Sequence, residues 1–227
     1  MSEPLLIDVL TVFPGMLRGF LEESILKRAV AMGAVIFRTI DLRDFAQDAR
    51  RTADDRPYGG GPGMIMKPEL WFEAIEALRT PETRVIMMTP SGKTFRQAEA
   101  RRLAQEKHLI LLCGHYEGID ERVRDALVTD ELSIGDYVLT NGALPAAVVA
   151  DAVVRLLPGV LGGGEEATQD ESFSEPLLEF PQYTRPAIYR GIAVPDVLQG
   201  GNHAEVAAWR KGQALDRTAR QRPDLLK

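Results

Sequence analysis

The sequence predicts an α/β domain built on a parallel sheet, followed by a small helical unit. Three observations predict it. Short apolar runs alternate with segments of helical spacing across residues 5–157, the pattern of a β-α-β protein. One run, LILLC at 109–113, is apolar at every position, as a strand covered on both faces must be. After Gly162 the texture changes to GGGEEATQDESFSEP, Gly-rich and acidic, before short helical segments take over.

Residues 5–12, LLIDVLTV, read as a first buried strand. Pro14 opens an amphipathic helix with Met16, Leu17, Phe20, Leu21, Ile25 and Leu26 at helical spacing, and Gly33 ends it as a C-terminal cap. Residues 34–40, AVIFRTI, form a second strand, so the opening implies a parallel pair. Asp41 to Lys67 reads as a long loop, and such loops in compact domains are usually functional or disordered. Within it, RRTADDRPYGGGPGMIMKP at 50–68 mixes arginines and aspartates with Tyr58 and a glycine run. No Lys-Ser/Thr follows, so it is not a P-loop. Pro68–Leu78 is a helix and 84–89, RVIMMT, a third strand with PSGKTF at 90–95 as the loop at its end. A polar helix at 95–107 leads to the strand 109–113, which runs into GHYEGIDERV at 114–123.

Residues 131–162, ELSIGDYVLTNGALPAAVVADAVVRLLPGVLG, organise the rest. A short strand passes through a turn carrying Ser133, Gly135, Asn141 and Gly142 into an apolar helix, with Pro145 in its first turn, where proline is tolerated. The helix is apolar almost all round and so reads as buried, yet it carries Asp151 and Arg155 at i,i+4. That pair is either a structural ion pair inside the core or part of a site. Ligand loops of open α/β sheets sit at the carboxyl ends of strands. PSGKTF, GHYEGIDER and the turn after Tyr137–Leu139 all hold such places, so three loops converge on one crevice.

The single cysteine, Cys113, rules out an internal disulfide, and three scattered histidines make no zinc spacing. No leader peptide is recognisable, and no apolar run approaches the roughly 20 residues that span a bilayer; a cytoplasmic protein without a membrane partner is expected. There is no G-x-G-x-x-G after the first strand, no G-x-S-x-G elbow and no kinase signature. Net charge is −6, but residues 181–227 carry eight Lys/Arg against four Asp/Glu. A basic tail on an acidic body points either to a polyanion contact or to a solvated helical face.

Four ordered blocks, RPYGGGPGMIMKPE at 56–69, GHYEGIDERV, the 131–162 stretch and LLEFPQYTRP at 177–186, resemble the bacterial tRNA (guanine-N1-)-methyltransferase family of the SPOUT class over nearly the whole chain. The resemblance implies an α/β SPOUT fold with a deep trefoil knot formed from the segments around 85–160, a feature base rates would not suggest. It implies domains at 1–162 (knotted, binding S-adenosylmethionine) and 177–227 (helical, binding tRNA), joined by a flexible linker at 163–176. It implies methyl transfer to N1 of guanosine at tRNA position 37, a magnesium requirement without an assigned metal ligand, and a homodimer whose active site lies at the subunit interface. Thr89, Pro90, Gly114, Tyr116, Glu117, Ser133, Ile134, Gly135, Tyr137, Leu139, Gly142 and Pro145 match cofactor positions. Arg155 matches the catalytic arginine. Asp54, Arg56, Tyr183 and Arg185 match substrate contacts, and Arg190, Arg210, Lys211 and Arg217 are further RNA-backbone candidates. The family reads Asp-Ser-Phe before LL-x-x-P-x-Y-T-R-P, whereas this chain has Asp170, Glu171, Ser172 and Phe173. Register therefore puts Glu171 at the general-base position, with Asp170 as the alternative. Asn141-Gly142-Ala143 stands where the family more often has Gly-Gly-Glu. A non-catalytic RNA-binding protein and a methyltransferase of another RNA target are the competing readings.

Overall fold

The computed structural model describes residues 3–162 and 171–227. The chain divides into two compact units, Met1–Gly164 and Glu165–Lys227.

The first unit is a five-stranded parallel sheet with helices on its faces. Its elements run β1 (Leu5–Thr11), α1 (Gly15–Leu21), α2 (Ser24–Ala31), β2 (Val35–Asp41), β3 (Asp54–Asp55), β4 (Ile65–Met66), α3 (Pro68–Leu78), β5 (Thr83–Thr94), α4 (Gln97–Leu103), β6 (His108–Leu112), α5 (Glu121–Leu127), β7 (Asp130–Ser133) and α6 (Ala143–Val154). Strand order is β2-β1-β6-β5-β7. β1 and β6, inside the sheet, are the most completely buried strands, which is why their sequences are mostly apolar, Asp8 and Thr11 on β1 excepted. One apolar cluster, with Ile7, Leu109, Ala146 and Val153, covers one face of the sheet, and another, with Trp71, Ile75, Ile110 and Val123, covers the other.

Four expectations change. The first helix is two, because Ser24 takes a left-handed φ of 53° and breaks the run; Gly33, at φ 72°, still closes the second. The 41–67 loop holds a short 3-10 turn at Leu42–Phe45 and a two-residue antiparallel ladder, so the glycines form the tip of a small hairpin. The third strand does not stop at residue 89. Met88 and Lys93 both lie opposite Leu132, so Thr89–Gly92 bulge out and the strand resumes beside β7. Finally, α6 is not buried all round. Leu144 is 59% and Val148 46% exposed, and Asp151 is exposed with them. A buried structural ion pair at Asp151 and Arg155 is therefore excluded.

One polar row crosses the core. Asp8 on β1 is fully buried; its carboxylate accepts both an Nε and an Nη2 hydrogen bond from Arg38 on β2, each 2.5 Å. It also lies 2.9 Å from Nε2 of His108 on β6, whose Nδ1 is 2.8 Å from the Thr83 hydroxyl on β5. Four neighbouring strands are thus tied side by side, and each buried polar group finds a partner.

The second unit contains a hairpin, β8 (Ile188–Tyr189) with β9 (Ile192–Ala193), and the 19-residue helix α7 (His203–Gln221). Asn202 caps α7 by accepting from the backbone of Ala204 and Glu205. Thr218, buried on α7, accepts from the Leu178 amide at 2.8 Å. The expected helical segments near 195–199 and 203–220 appear as a 3-10 turn at Asp196–Leu198 and α7.

Burial would by itself raise the Asp8 carboxyl, but the hydrogen bonds from His108 and Arg38 outweigh it and hold it below its ordinary 3.8. A lowered carboxyl stabilises the fold above its unfolded value, and that contribution is lost as pH falls through the folded one. Stability should therefore drop as the pH is taken below 3.8. Asp8→Asn should cost about 3 kcal/mol at pH 7, since it leaves buried partners unmatched, and should flatten the acid limb in urea titrations.

Candidate active site

Three segments meet at the bulge of β5 and beyond the carboxyl ends of β6 and β7, and the close backbone approach that joins them explains the glycines. The chain leaves β7 on the outer side of β5 and returns past the end of β5 to reach the end of β6. There Gly142 donates to the Gly114 carbonyl at 2.9 Å. A Cβ at 142 would lie 2.7 Å from the Cys113 Cα, so no side chain fits. Gly92 makes the same kind of contact: its Cβ would lie 2.6 Å from the Glu131 carbonyl carbon. Asn141 then starts α6, its Oδ1 accepting from the Ala143 amide at 2.8 Å.

The 133–142 turn is internally braced. The Ser133 hydroxyl donates to the Gly135 carbonyl at 3.0 Å, and the Tyr137 hydroxyl donates to the Ile134 carbonyl at 3.2 Å. The Tyr137 ring covers Gly135, where a Cβ would come within 2.4 Å of it. The 114–120 loop is zipped to the hairpin: Glu117 N donates to Met64 O and Met66 N to Gly118 O, at 3.0 and 2.9 Å. Tyr116 holds a left-handed φ of 58°, the kind of local strain that persists where surroundings enforce it.

These segments enclose a cleft of about 920 Å³, within the range of small-molecule sites. Every residue matched to a cofactor position, from Thr89 and Pro90 through Gly114, Tyr116 and Glu117 to Pro145, lines it. So does Arg56, whereas the wall beside it is Asp55 rather than Asp54; Asp54 sits in the β3 ladder opposite Met66. The cleft also holds residues the sequence reading passed over. His115 lies between two matched positions, its ring 4.9 Å from Phe13 and 4.7 Å from Tyr116. Arg122 and Arg124 follow in the same ERVRD block, one turn into α5, and contiguity with the motif was the signal that could have found them.

Arg155 is elsewhere. It caps the far end of α6, about 20 Å along the helix from the cleft wall at Gly142, and it does not line the cleft. Asp170 lies outside the described residues. In the second unit, the Glu171 carbonyl accepts from both Ser174 N at 3.0 Å and Ser174 Oγ at 2.6 Å. The Ser172 hydroxyl accepts from Glu179 N at 2.9 Å, and Phe173 adopts a φ of 70°. Ser172 and Phe173 thus shape the tight turn that follows Glu171. Tyr183 and Arg185 are exposed, with the Tyr183 ring 6.3 Å from Trp209. Arg210 stacks on Phe180 at 4.7 Å and Arg190 on Tyr189 at 5.4 Å, while Arg217 donates to the Glu179 carbonyl.

A family model described as tRNA (Guanine-1)-methyltransferase TrmD matches residues 5–227. Similar curated proteins carry the name tRNA (guanine-N(1)-)-methyltransferase. That of Geobacillus kaustophilus is 56% identical over 222 residues, covering 97% of this chain and 91% of the relative. That of Moorella thermoacetica is 56% identical over 224 residues, with 97% and 89% covered. That of Protochlamydia amoebophila is 54% identical over 222 residues, with 98% and 100% covered.

Gly142→Ala should destabilise the first unit by about 1–3 kcal/mol, because backbone and not a yielding side chain stands in the way. Gly212→Ala, inside α7 with nothing within 4 Å of its added Cβ, should instead stabilise by about 0.5–1 kcal/mol. Urea unfolding of both variants separates the two cases.

Proposed function

The chain belongs to the tRNA (Guanine-1)-methyltransferase TrmD family, and from that premise we propose that it methylates N1 of guanosine at position 37 of tRNA, with S-adenosylmethionine as donor. The single observation that carries the reading is the convergence of all the cofactor-matched residues on one cleft.

The cleft fits the donor. At Gly142 and Gly92 the chain runs so close to its neighbour that no Cβ fits, and polar backbone at 114–117 and 133–142 lines a volume of nucleoside scale. The residues that would hold the donor are Thr89, Pro90, Gly114, Tyr116, Glu117, Ser133, Ile134, Gly135, Tyr137, Leu139, Gly142 and Pro145. Bound there, S-adenosylmethionine supplies an electrophilic methyl group on a sulfonium. Everything else falls to the protein. Guanine N1 is protonated in its neutral form, so a carboxylate must take that proton, a contribution of about 10²–10⁴-fold. Glu171 is assigned that role, with Asp170 as the alternative. As the proton leaves, negative charge builds on the guanine carbonyl oxygen, and the Arg155 guanidinium stabilises it by about 3 kcal/mol. Asp54 and Arg56 would face the target guanosine. Tyr183 and Arg185, with Arg190, Arg210, Lys211 and Arg217, would contact the RNA backbone.

The working enzyme in this reading is a homodimer, with the cleft of one protomer facing Arg155 of the other. Its support is exposed apolar side chains on two helices that touch, Met16 on α1 and Leu144 and Val148 on α6. The docking of Gly142 on Gly114 across β5 supports the trefoil knot proposed around 85–160, and the proposed division is a knotted domain at 1–162, a linker at 163–176 and an RNA-binding domain at 177–227. Among the described residues no helix is long and apolar enough to cross a membrane; the proposed setting is the cytoplasm. Among the same residues no group of three or more acidic, His or Cys side chains gathers to hold a metal, so no step is routed through magnesium.

Two transcripts test the reaction, one with guanosine at position 37 preceded by guanosine, the other with adenosine at 37. Labelled methyl should enter the first only and be recovered as N1-methylguanosine; label on neither, with donor still bound, would instead favour a non-catalytic RNA-binding protein. Arg155→Ala should leave donor affinity intact and slow single-turnover methylation by about 10²-fold. Glu171→Gln should slow it comparably and Asp170→Asn only mildly; the opposite order assigns the proton to Asp170.

A further inference from the structure

We infer that Arg124 is a positioning residue that holds the Thr89–Gly92 edge of the cleft and thereby sets the enzyme's affinity for its methyl donor. This rests on the reading of the cleft as the donor site.

The bulge at Thr89–Gly92 leaves that segment outside the ladder between β5 and β7. It is braced from within by the Thr89 and Ser91 hydroxyls, 2.9 Å apart. It is pinned at its base by the contact of Gly92 with Glu131. At its tip, Arg124 reaches across from α5. Its Nη2 donates to the Ser91 hydroxyl at 3.4 Å, its Nη1 lies 3.3 Å from Glu121 Oε1, and its Nε lies 3.5 Å from Glu131 Oε2. One guanidinium thus links the loop, α5 and the start of β7, three of the segments that form the cleft, and Arg124 itself lines the cleft.

All three contacts are long for a charge-assisted pair, which closes to about 2.7–2.9 Å. Moreover, Nε is buried and makes no hydrogen bond. A buried donor left unmatched is costly, and a shift of the guanidinium toward Glu131 would match it, while a shift of the Ser91 tip toward α5 would shorten its bond to Nη2. A donor seated against Thr89 and Pro90 presses on the loop that carries Ser91. Binding and completion of the Arg124 fork are therefore coupled. Removing the fork leaves the loop to be ordered at the expense of binding. Lysine keeps the charge beside Glu131 but has no planar fork to span three acceptors.

Calorimetry with S-adenosylmethionine on the full-length protein, paired with steady-state kinetics, tests this. Arg124→Met should raise the donor Kd and donor KM together by about tenfold. kcat at saturating donor should stay within about threefold, and the KM for tRNA should not move. Arg124→Lys should fall between Arg124→Met and the parent protein. Ser91→Ala should weaken donor binding by itself, and should add nothing in the Arg124→Met background, because both remove one tie. An unchanged donor Kd in Arg124→Met and in Ser91→Ala overturns the inference. So does full additivity of the two substitutions, or a loss shared equally between donor and tRNA kinetics. Should Arg124→Met fail to fold, Ser91→Ala alone decides. A parent protein that binds no S-adenosylmethionine overturns the donor-site reading itself, a result that differs from binding which is present but indifferent to residue 124.

Discussion

The site depends on a backbone contact that admits no side chain, that of Gly142 against Cys113. Three strand ends supply the walls of the cleft, but sequence adjacency does not bring them together. β7 lies on the far side of β5 from β6, and only the return of the 134–142 segment closes the gap. Gly142 docks on the β6 end by donating an amide hydrogen bond to the Gly114 carbonyl, and Gly92 makes a similarly close backbone approach where the long strand β5 passes Glu131. Each contact is one from which a methyl group would have to push backbone away, an overpacking cost of about 1–3 kcal/mol. Against a total stability of about 5–15 kcal/mol, two such contacts constrain the sequence as firmly as any core residue does.

Rigidity comes from the opposite end of the sheet. The Arg38–Asp8–His108–Thr83 row binds β2, β1, β6 and β5 laterally, with His108 and Thr83 at the first residues of their strands. The cleft lies at the bulge of β5, just beyond β6 and at the end of β7. A hydrogen-bonded network at one end leaves the other free to carry loops shaped for a ligand and not for stability, among them Tyr116 in a left-handed conformation and a four-residue bulge. Arg38 is partly exposed, so water screens its share; the buried Asp8–His108 contact carries the larger part.

Much of this was legible in the chain because it depends on local pattern. Largely apolar runs marked β1 and β6, the Gly33 cap marked the end of α2, and Gly and Asn marked the 135–142 turn. What the pattern missed was set by tertiary contact. PSGKTF looks like a loop because Pro90 and Gly92 are poor strand residues, yet β7 pairs beyond them and the strand resumes at Lys93. The break before Ser24 has no Gly or Pro to announce it. The α6 pattern was read as wholly buried because periodicity cannot tell a core face from an apolar face left exposed on a single chain. Arg124 escaped notice because its role is visible only as distances to residues 33 positions before it and 7 after it.

That exposed face of α6 bears on where the chemistry happens. One helix begins at the cleft and ends at Arg155, whose backbone stands about 15 Å along the axis from Pro145, a cleft-lining residue on that helix. No loop movement shortens a helix. That separation favours the proposed arrangement, in which Arg155 serves the cleft of a second chain. A twofold pair supplies that arrangement, since an isologous interface brings each surface patch to both partners. The stripe that would pack in such a pair is apolar at Leu144 and Val148 and charged at Asp151, continuing the helix face toward Arg155. In the proposed dimer the same helix would serve two sites: its start shapes the cleft of its own chain, and its end would reach that of the partner.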